Sequence, residues 1–287
     1  MKSYIVITTH YSLLTKNMIK DKKIAVIGCG TMGKIIISGL LSSGTSVPEN
    51  LIATDKIKET RKKINEEFSI GTTEDNVKAC TGADIILLAV KPQDIPAVIG
   101  AIKEIITEKT VIVSIAAGVS THFIEGILAG QNPVIRAMPN TACQVRNGMI
   151  VVTRGTHAIN GHIDIAMDIF SPLGKCIELD EKHMDAVTGL SASGPAFIYL
   201  IIEALADGGV MMGLPRKVAQ DLVIHTVLGS AHMIKETERH PASLKDDVTT
   251  PAGCTISGIL ALEDGKIRSV LARAVQIAAT RAGELGK

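Results

Sequence analysis

The chain has 287 residues and a formal net charge of +1, and 46% of its residues are hydrophobic while only 2% are aromatic. Its length predicts two domains, its near-neutral charge argues against a nucleic-acid partner, and its aliphatic composition suits buried parallel strands. Five scattered cysteines without a CxxC pair predict reduced thiols in a cytoplasmic protein and no metal site. No apolar run approaches the ~20 residues that span a bilayer, so we expect no membrane partner.

Residues 1–22 are predicted to be an N-terminal extension, because they lack the small-residue cleavage site of a secretory signal. Two interpretations stay open. In one, translation begins at Met18, which opens the stretch MIKDKKIAVIG. In the other, Tyr4 to Thr9 add an edge strand to the following sheet.

Residues 23–180 alternate short apolar runs with helical segments, which is the pattern of βαβ units and a mostly parallel sheet of the Rossmann type. The predicted strands are Ile24 to Gly28, Leu51 to Asp55, Ser69 to Gly71, Ile85 to Val90, Val111 to Ile115, Val134 to Met138, Met149 to Thr153 and Lys175 to Leu179. The predicted helices are Thr31 to Ser43, Ile57 to Glu67, Glu74 to Cys80, Ile95 to Ile106, Ser120 to Leu128 and Ile159 to Phe170.

Residues 181–287 lack strand signals and show a 3.6-residue periodicity instead, which predicts an all-helical second domain. Several segments are apolar around most of the helix, as in AFIYLIIEALADGGVMMG, and such a helix needs burial on both sides. A domain of this size offers little interior, so we expect a subunit interface and a homo-oligomer. The predicted helices are Met184 to Leu190, Pro195 to Met212, Pro215 to Lys235, Thr255 to Glu263 and Ile267 to Leu285.

A GxGxxG motif, formed by Gly28, Gly30 and Gly33, lies between the first predicted strand and helix. A tight turn, a close backbone approach to a pyrophosphate and close packing of helix on strand each require one of these glycines. Asp55 ends the next strand at the spacing that the fingerprint requires. This context predicts a dinucleotide cofactor.

The choice between NADH and NADPH stays open. Asp55 is expected to accept hydrogen bonds from the ribose hydroxyls of NADH and to repel the extra phosphate of NADPH. Four cations follow it, and they either bind that phosphate or form the solvated face of a helix. They are Lys56, Lys58, Arg61 and Lys62.

Three further strand ends are candidates for the cofactor groove, because ligands of open parallel sheets bind at the carboxyl ends of the strands. The stretches AVKP (89–92), AAG (116–118) and MPNT (138–141) follow three predicted strands. In the helical domain, the segment DDVTTPAGCTISGI (246–259) interrupts the helices. Its small residues expose backbone amides for an anion, and Thr255 by itself is interpreted as a helix N-cap.

Three segments together resemble pyrroline-5-carboxylate reductase: the GxGxxG motif, GLSASGPAFIY (189–199) and LKDDVTTPAGCTISGILALEDG (244–265). The resemblance covers the chain from about residue 23 to its end. It implies that 1-pyrroline-5-carboxylate is reduced to L-proline by hydride transfer from NADPH or NADH, the last step of proline biosynthesis. It also implies a helical domain that binds substrate and dimerises, with a decamer built of dimers as the larger alternative.

The resemblance also implies roles for individual residues. Thr255 would be catalytic by hydrogen-bonding the ring nitrogen of the substrate, and the segment around it would bind the substrate carboxylate. The substrate-binding residues would be Glu238, Asp247, Thr250, Gly253, Cys254 and Thr255. The cofactor-binding residues would be Gly28, Gly30, Thr31, Met32, Gly33, Asp55, Asn76, Ala89, Val90, Lys91, Pro92, Ala116 and Ala117.

The sequence departs mildly from the family pattern. Cys254 stands where a small residue or threonine is usual, and Ala192 and Ala252 stand where glycine is frequent. Two alternatives remain. One is another Rossmann oxidoreductase, such as an imine reductase or a β-hydroxyacid dehydrogenase, although AVTGLSASGPAFIY lacks the lysine expected of the latter. The other is a dinucleotide-binding regulatory protein without activity.

Overall fold

The computed structural model describes residues 18–285. The edge strand predicted for Tyr4 to Thr9 lies outside the described residues. Two compact units are present: the first comprises the described residues up to Ala192 together with those from Ala278 onward, and the second is Ser193–Ile277.

The first unit contains a single eight-stranded sheet in the order β3-β2-β1-β4-β5-β6-β7-β8. All neighbouring strands of this sheet are parallel except β6 and β7. The predicted α/β class with a mostly parallel sheet is therefore confirmed. The strands are β1 Ile24–Ile27, β2 Leu51–Thr54, β3 Gly71–Thr73, β4 Ile85–Leu88, β5 Val111–Ser114, β6 Val134–Met138, β7 Gly148–Arg154 and β8 Gly174–Glu178.

Alternate residues of the central strands point to two different apolar clusters, because successive side chains of a strand face opposite sides of the sheet. Ile24 and Val26 of β1 belong to one cluster, and Ala25 and Ile27 belong to the other. Both faces are covered by helices, as parallel sheets require. The helices that follow β1 to β5 and β7 are α1 Thr31–Ser42, α2 Lys58–Phe68, α3 Asn76–Cys80, α4 Ile95–Ile102, α5 Thr121–Leu128 and α6 Asn160–Phe170.

In the described part of the chain, six more α-helices follow β8, and α8, α9 and α12 are the longest of them, with 18, 22 and 19 residues. Between α7 and α8, Thr188–Ala192 form a π-helical segment, and the hydroxyl of Thr188 donates to the carbonyl oxygen of Met184 at 2.8 Å. The helices are α7 Met184–Val187, α8 Gly194–Met211, α9 Arg216–Thr237, α10 Pro241–Asp247, α11 Cys254–Asp264 and α12 Ile267–Leu285.

The main differences from the prediction are three element boundaries and one additional helix. The predicted helix Met184 to Leu190 is α-helical only to Val187 and continues as the π-helical segment. The third strand begins at Gly71 rather than at Ser69, because Ser69 adopts a left-handed conformation that ends α2 (φ 56°). The fourth helix ends at Ile102 rather than at Ile106. Helix α10 was not expected at all, since its first residue is Pro241, which is tolerated in the first helical turn but also marks loops.

The second unit leaves most of its large apolar side chains uncovered. Tyr199, Leu200 and Met211 are 63%, 67% and 82% exposed, whereas the only residues of this unit below a tenth exposure are two alanines. The helical run Glu181–Met211 would be long and apolar enough to cross a membrane, judged by length and composition alone. Large apolar side chains that are exposed close together also mark protein–protein contact surfaces.

Candidate active site

The predicted cofactor residues lie at the edge of the sheet that is formed by the carboxyl ends of its strands. Strand β1 lies between β2 and β4, and its last residue, Ile27, is in register with Thr54 of β2 and Leu88 of β4. The chain leaves β1 toward β2 on one side and reaches β4 and β5 on the other, so the strand order reverses here. Crevices for ligands form at such switch points, outside the carboxyl ends of the strands.

Each position of the motif requires glycine for a different structural reason. Gly28 has a positive φ of 99°, and a Cβ atom there would lie 2.6 Å from the carbonyl oxygen of Ala89. A Cβ atom at Gly33 would overlap the carbonyl oxygen of Gly28, so this glycine packs α1 against the loop. At Gly30 a Cβ atom would meet nothing within 4 Å. Its backbone borders open space, and this is the arrangement that a closely approaching pyrophosphate needs.

The carboxylate of Asp55 is engaged with the backbone. One oxygen accepts from the N–H of Cys29 at 3.0 Å and the other accepts from the N–H of Ile57 at 2.9 Å. The hydrogen bond to Cys29 therefore connects Asp55, which follows the neighbouring strand β2, to the glycine loop. A carboxylate has further lone pairs, so the expected contact with ribose hydroxyls stays a prediction.

Three of the four cations that follow Asp55 have protein partners. Arg61 donates to the carbonyl oxygens of Asp55 and Lys56 at 2.7 and 3.2 Å. It also pairs with Glu74 at 3.1 Å. Lys56 pairs with Asp94, and Lys62 pairs with Glu66 in the next turn. Lys58 opens α2 and is exposed.

The other predicted cofactor residues lie along the same edge. Asn76 is half-buried, and its Oδ1 accepts a hydrogen bond from Thr54 Oγ1 at 2.7 Å. Thr54 was not predicted as a site residue. The sequence does contain a signal for it, because Thr54 places a hydroxyl at the end of an apolar strand and directly before Asp55. Thr31 and Met32 open α1; Ala89, Val90, Lys91 and Pro92 follow β4; Ala116 and Ala117 follow β5.

These residues fit a dinucleotide, because open space borders Gly30 where the pyrophosphate would approach, and the first turn of the twelve-residue helix α1 follows it.

The loop after β6 is held by two hydrogen bonds of Asn140. Asn140 accepts from the N–H of Met149 and donates to the carbonyl oxygen of Ser191, both at 3.3 Å.

In the second unit, a tight turn precedes α11. Ala252 adopts a left-handed conformation with φ of 55°, and the N–H of Gly253 donates to the carbonyl oxygen of Thr250 at 3.1 Å. Gly253, with extended backbone, is the N-cap of α11, so the interpretation of Thr255 as the cap is wrong. Gly253 takes that place because a Cβ atom there would overlap the Thr250 hydroxyl. Thr255 is the second residue of the helix.

Two predicted substrate-binding residues lie before this turn. Glu238 ends α9 in a left-handed conformation (φ 53°). Asp247 ends α10 and pairs with Arg239 at 2.7 Å, and the Arg239 hydrogen bond holds the pKa of the Asp247 carboxyl below its ordinary value. The pairing of Arg239 was not expected, because no sequence pattern brings a residue before α10 to its end.

All five cysteines are free thiols. Burial, and secondarily the charge of Asp55, raise the pKa of the Cys29 thiol to about 12, so this residue of the glycine loop stays protonated at neutral pH. Cys254, the first residue of α11, is exposed.

A groove of about 780 Å³ opens beside α8 and α9. Its lining includes Tyr199, Glu203, Asp207 and Arg216, and Arg216 and Asp207 form an ion pair. None of the lining residues is a predicted site residue. The groove lies among the uncovered apolar side chains of the second unit.

Comparison with known proteins covers almost the whole chain. Residues 181–285 match the family model described as pyrroline-5-carboxylate reductase dimerisation, and residues 23–118 match one described as NADP oxidoreductase coenzyme F420-dependent. The pyrroline-5-carboxylate reductase of Methanosarcina acetivorans is 42% identical over 268 residues, which is 93% of this chain and 99% of the relative. That of Arabidopsis thaliana is 39% identical over 92% of this chain and 96% of the relative.

Solved structures agree with these sequence relatives. A pyrroline-5-carboxylate reductase from Coxiella burnetii superposes with a TM-score of 0.85 at 34% identity, covering 93% of this chain and 99% of that one. The pyrroline carboxylate reductase of Plasmodium falciparum with NADP bound has the same TM-score and coverage at 29% identity.

Proposed function

The chain belongs to the pyrroline-5-carboxylate reductase family, and on that premise we propose how its own residues divide the work of the reaction. It is an NAD(P)H-dependent oxidoreductase of proline biosynthesis that reduces 1-pyrroline-5-carboxylate to proline. The observation that carries the proposal is the start of α11, where a fixed turn presents free backbone amides and the Thr255 hydroxyl together.

The edge of the sheet binds the dinucleotide, which supplies the hydride when bound. The open backbone at Gly30 and the N-terminus of α1 bind the pyrophosphate, because backbone N–H groups and the helix dipole both favour an anion there. The cofactor is NADP(H), and NADH is a second donor that the braced carboxylate of Asp55 does not exclude.

The first turn of α11 binds the carboxylate of the substrate. The first amides of an α-helix have no intrahelical partner. The N–H of Gly253 is satisfied by Thr250, which leaves the N–H groups of Cys254 and Thr255 for the anion. Thr250 and Gly253 hold the shape of the turn, and Glu238 and Asp247 belong to the same substrate-binding segment.

Thr255 orients the ring nitrogen of the imine. Its side chain is half-buried and makes no hydrogen bond among residues 18–285, so its hydroxyl is free both to donate and to accept. A protonated imine is electrophilic at carbon, and it keeps its proton at nitrogen while the carbon receives the hydride. The hydroxyl holds that nitrogen in place during the transfer, which makes Thr255 the catalytic residue of this account.

Substitution of Thr255 tests this assignment. Thr255→Ala removes the hydroxyl and is expected to lower kcat/KM about ten- to a hundred-fold, while Thr255→Ser retains most of the activity. Ser257→Ala is the matched control, because Ser257 lies two residues further on in the same helix and its hydroxyl donates to the carbonyl oxygen of Gly253. Equal kinetics of Thr255→Ala and Ser257→Ala would remove Thr255 from the reaction.

The helical domain, residues 181–287, assembles the enzyme, and residues 23–180 form the cofactor domain after the extension 1–22. The match of residues 181–285 to a dimerisation domain implies a homo-oligomer. We assign a dimer as the basic unit because the apolar helices of the second unit are uncovered. The decamer built of dimers is the larger alternative. Light scattering on the purified enzyme distinguishes the two by mass.

The proposed compartment is the cytoplasm, which agrees with five free thiols. Fractionation of the source cells with detection of the native enzyme tests this compartment.

A further inference from the structure

Thr54 is a buried hydroxyl residue at the end of the apolar strand β2. It is 1% exposed, and it ends β2, where it is in register with Ile27 on one side and Thr73 on the other. A buried hydroxyl costs stability unless it is hydrogen-bonded. Its partner is the amide oxygen of Asn76, at 2.7 Å.

The backbone around Thr54 is held firmly. Its carbonyl oxygen accepts from the N–H of Gly28 at 2.9 Å and from the thiol of Cys29 at 3.3 Å. The Thr54 hydroxyl therefore projects from a strand end that is tied to both neighbouring strands and to the glycine loop. A side chain that is bonded to this hydroxyl acquires a fixed orientation.

The bond determines which atoms Asn76 presents. A side-chain amide has one acceptor oxygen and a nitrogen with two N–H donors. Because Oδ1 accepts from Thr54, the nitrogen is turned away from β2, and it makes no hydrogen bond among residues 18–285. Asn76 is half-buried at the same sheet edge as the glycine loop, so its N–H donors are available to an acceptor oxygen of a bound dinucleotide.

We propose that Thr54 is a positioning residue of the cofactor site: its hydroxyl orients the amide of Asn76 so that the N–H donors meet a ribose or phosphate oxygen of the dinucleotide. This inference rests on the proposed role of Asn76 in cofactor binding. Thr54 does not itself touch the cofactor. It lowers the entropy that the Asn76 side chain would lose on binding.

The test is the Kd of NADPH, measured by calorimetry without substrate, for the wild type and for Thr54→Val, Thr54→Ser, Asn76→Ala and the Thr54→Val/Asn76→Ala double variant. Valine has nearly the shape of threonine and lacks the hydroxyl. We expect Thr54→Val to raise the Kd about tenfold, because the unoriented Asn76 amide no longer forms its hydrogen bond to the dinucleotide. The factor corresponds to about 1.4 kcal/mol for that one hydrogen bond. Thr54→Ser is expected to restore tight binding, and the double variant is expected to bind as Asn76→Ala does.

Thr110→Val is the matched control for removing a buried hydroxyl. Thr110 is 3% exposed and donates to the carbonyl oxygen of Ala83, so its loss is expected to affect the melting temperature but not the Kd. In turnover, Thr54→Val is expected to raise the KM for the cofactor more than it lowers kcat.

Each outcome is decisive. An unchanged Kd of Thr54→Val beside a weakened Asn76→Ala would overturn the positioning role and leave the proposed cofactor site intact. Additive effects in the double variant would show that Thr54 does not act through Asn76, which also overturns it. An unchanged Kd of Asn76→Ala would remove Asn76 from the cofactor site and the inference with it.

Discussion

The carboxylate of Asp55 accepts a hydrogen bond from the backbone N–H of Cys29 at 3.0 Å, which joins the end of β2 to the glycine loop after β1. Its second oxygen accepts from the N–H of Ile57. The acidic residue of the dinucleotide fingerprint is thus hydrogen-bonded to the glycine loop.

Asp55→Asn is expected to weaken the binding of NADH and NADPH together. The amide nitrogen of asparagine would face one of the two backbone N–H groups, so the loop loses an acceptor, and we expect the free energy of unfolding to fall by about 1–2 kcal/mol. Calorimetric titration with both cofactors measures the effect. Glu59→Gln, an exposed carboxylate in the first turn of α2, is the control. Tighter NADPH binding by Asp55→Asn would instead assign the carboxylate to cofactor discrimination.

Alanine at Gly30 and at Gly33 should have opposite consequences. Gly30 has an ordinary φ of −64° and open space around a Cβ atom, so Gly30→Ala is expected to keep its melting temperature and to raise the Kd of the cofactor tenfold or more, about 1.4 kcal/mol. Gly33→Ala would force a methyl group onto the carbonyl oxygen of Gly28, with a loss of at least about 2 kcal/mol of stability. Thermal melts and titrations on both variants measure this, and unimpaired binding by Gly30→Ala would contradict it.

Ala252→Gly should stabilise the turn before α11. Ala252 has φ of 55°, a conformation that costs residues with a Cβ atom roughly 1–2 kcal/mol and glycine almost nothing. Glycine is more flexible in the unfolded chain, so the expected net gain is about 0.5–1 kcal/mol in urea unfolding. Ala261→Gly, at an exposed position inside α11, is the matched control and should lose a similar amount. A loss of stability in Ala252→Gly would show that strain at this residue is absent.

The stability contribution of Asp168 should depend on pH. This carboxylate is 8% exposed and accepts from the N–H of Met18 at 2.8 Å, and burial raises its pKa above the ordinary 3.8. A group whose folded pKa is raised contributes stability that is complete below its unfolded pKa and is lost as the pH rises through the folded value. The free energy of unfolding of the wild type, relative to Asp168→Asn, is therefore expected to fall as the pH rises from about 3.8 upward.

Urea unfolding of both proteins over a series of pH values measures this difference. Asp21→Asn, at an exposed position close to Met18, controls for the loss of one negative charge. A difference between wild type and Asp168→Asn that grows with pH would reverse the assigned sign.

The sheet and most helices could be predicted because their signals are local. Buried strands such as Ile85–Leu88 are short apolar runs, and GxGxxG places a strand before it and a helix after it. The helix that was missed, Pro241–Asp247, begins at a proline, and its N-cap is His240, whose ring nitrogen accepts from the N–H of Ala242. Histidine is not among the usual capping residues, so no local signal announced this helix.

The finer geometry of the site depends on contacts across the fold. The bond of Thr54 to Asn76 joins residues 22 positions apart, and only the parallel register of β2 and β3 brings them together. The N-cap of α11 is Gly253 rather than Thr255, and the turn before it depends on the close contact of Gly253 with Thr250 and on the left-handed conformation of Ala252, which is unusual for alanine. Spacing alone could not choose between these two residues.

The oxidation of NADPH and of NADH by the purified enzyme in the presence of 1-pyrroline-5-carboxylate measures the proposed reaction directly. We expect substrate-dependent oxidation of NADPH with formation of proline, and a several-fold lower rate in Gly30→Ala at NADPH concentrations near the wild-type KM. A well-folded protein that binds the dinucleotide but forms no proline with either cofactor would contradict it and favour a regulatory, non-catalytic role.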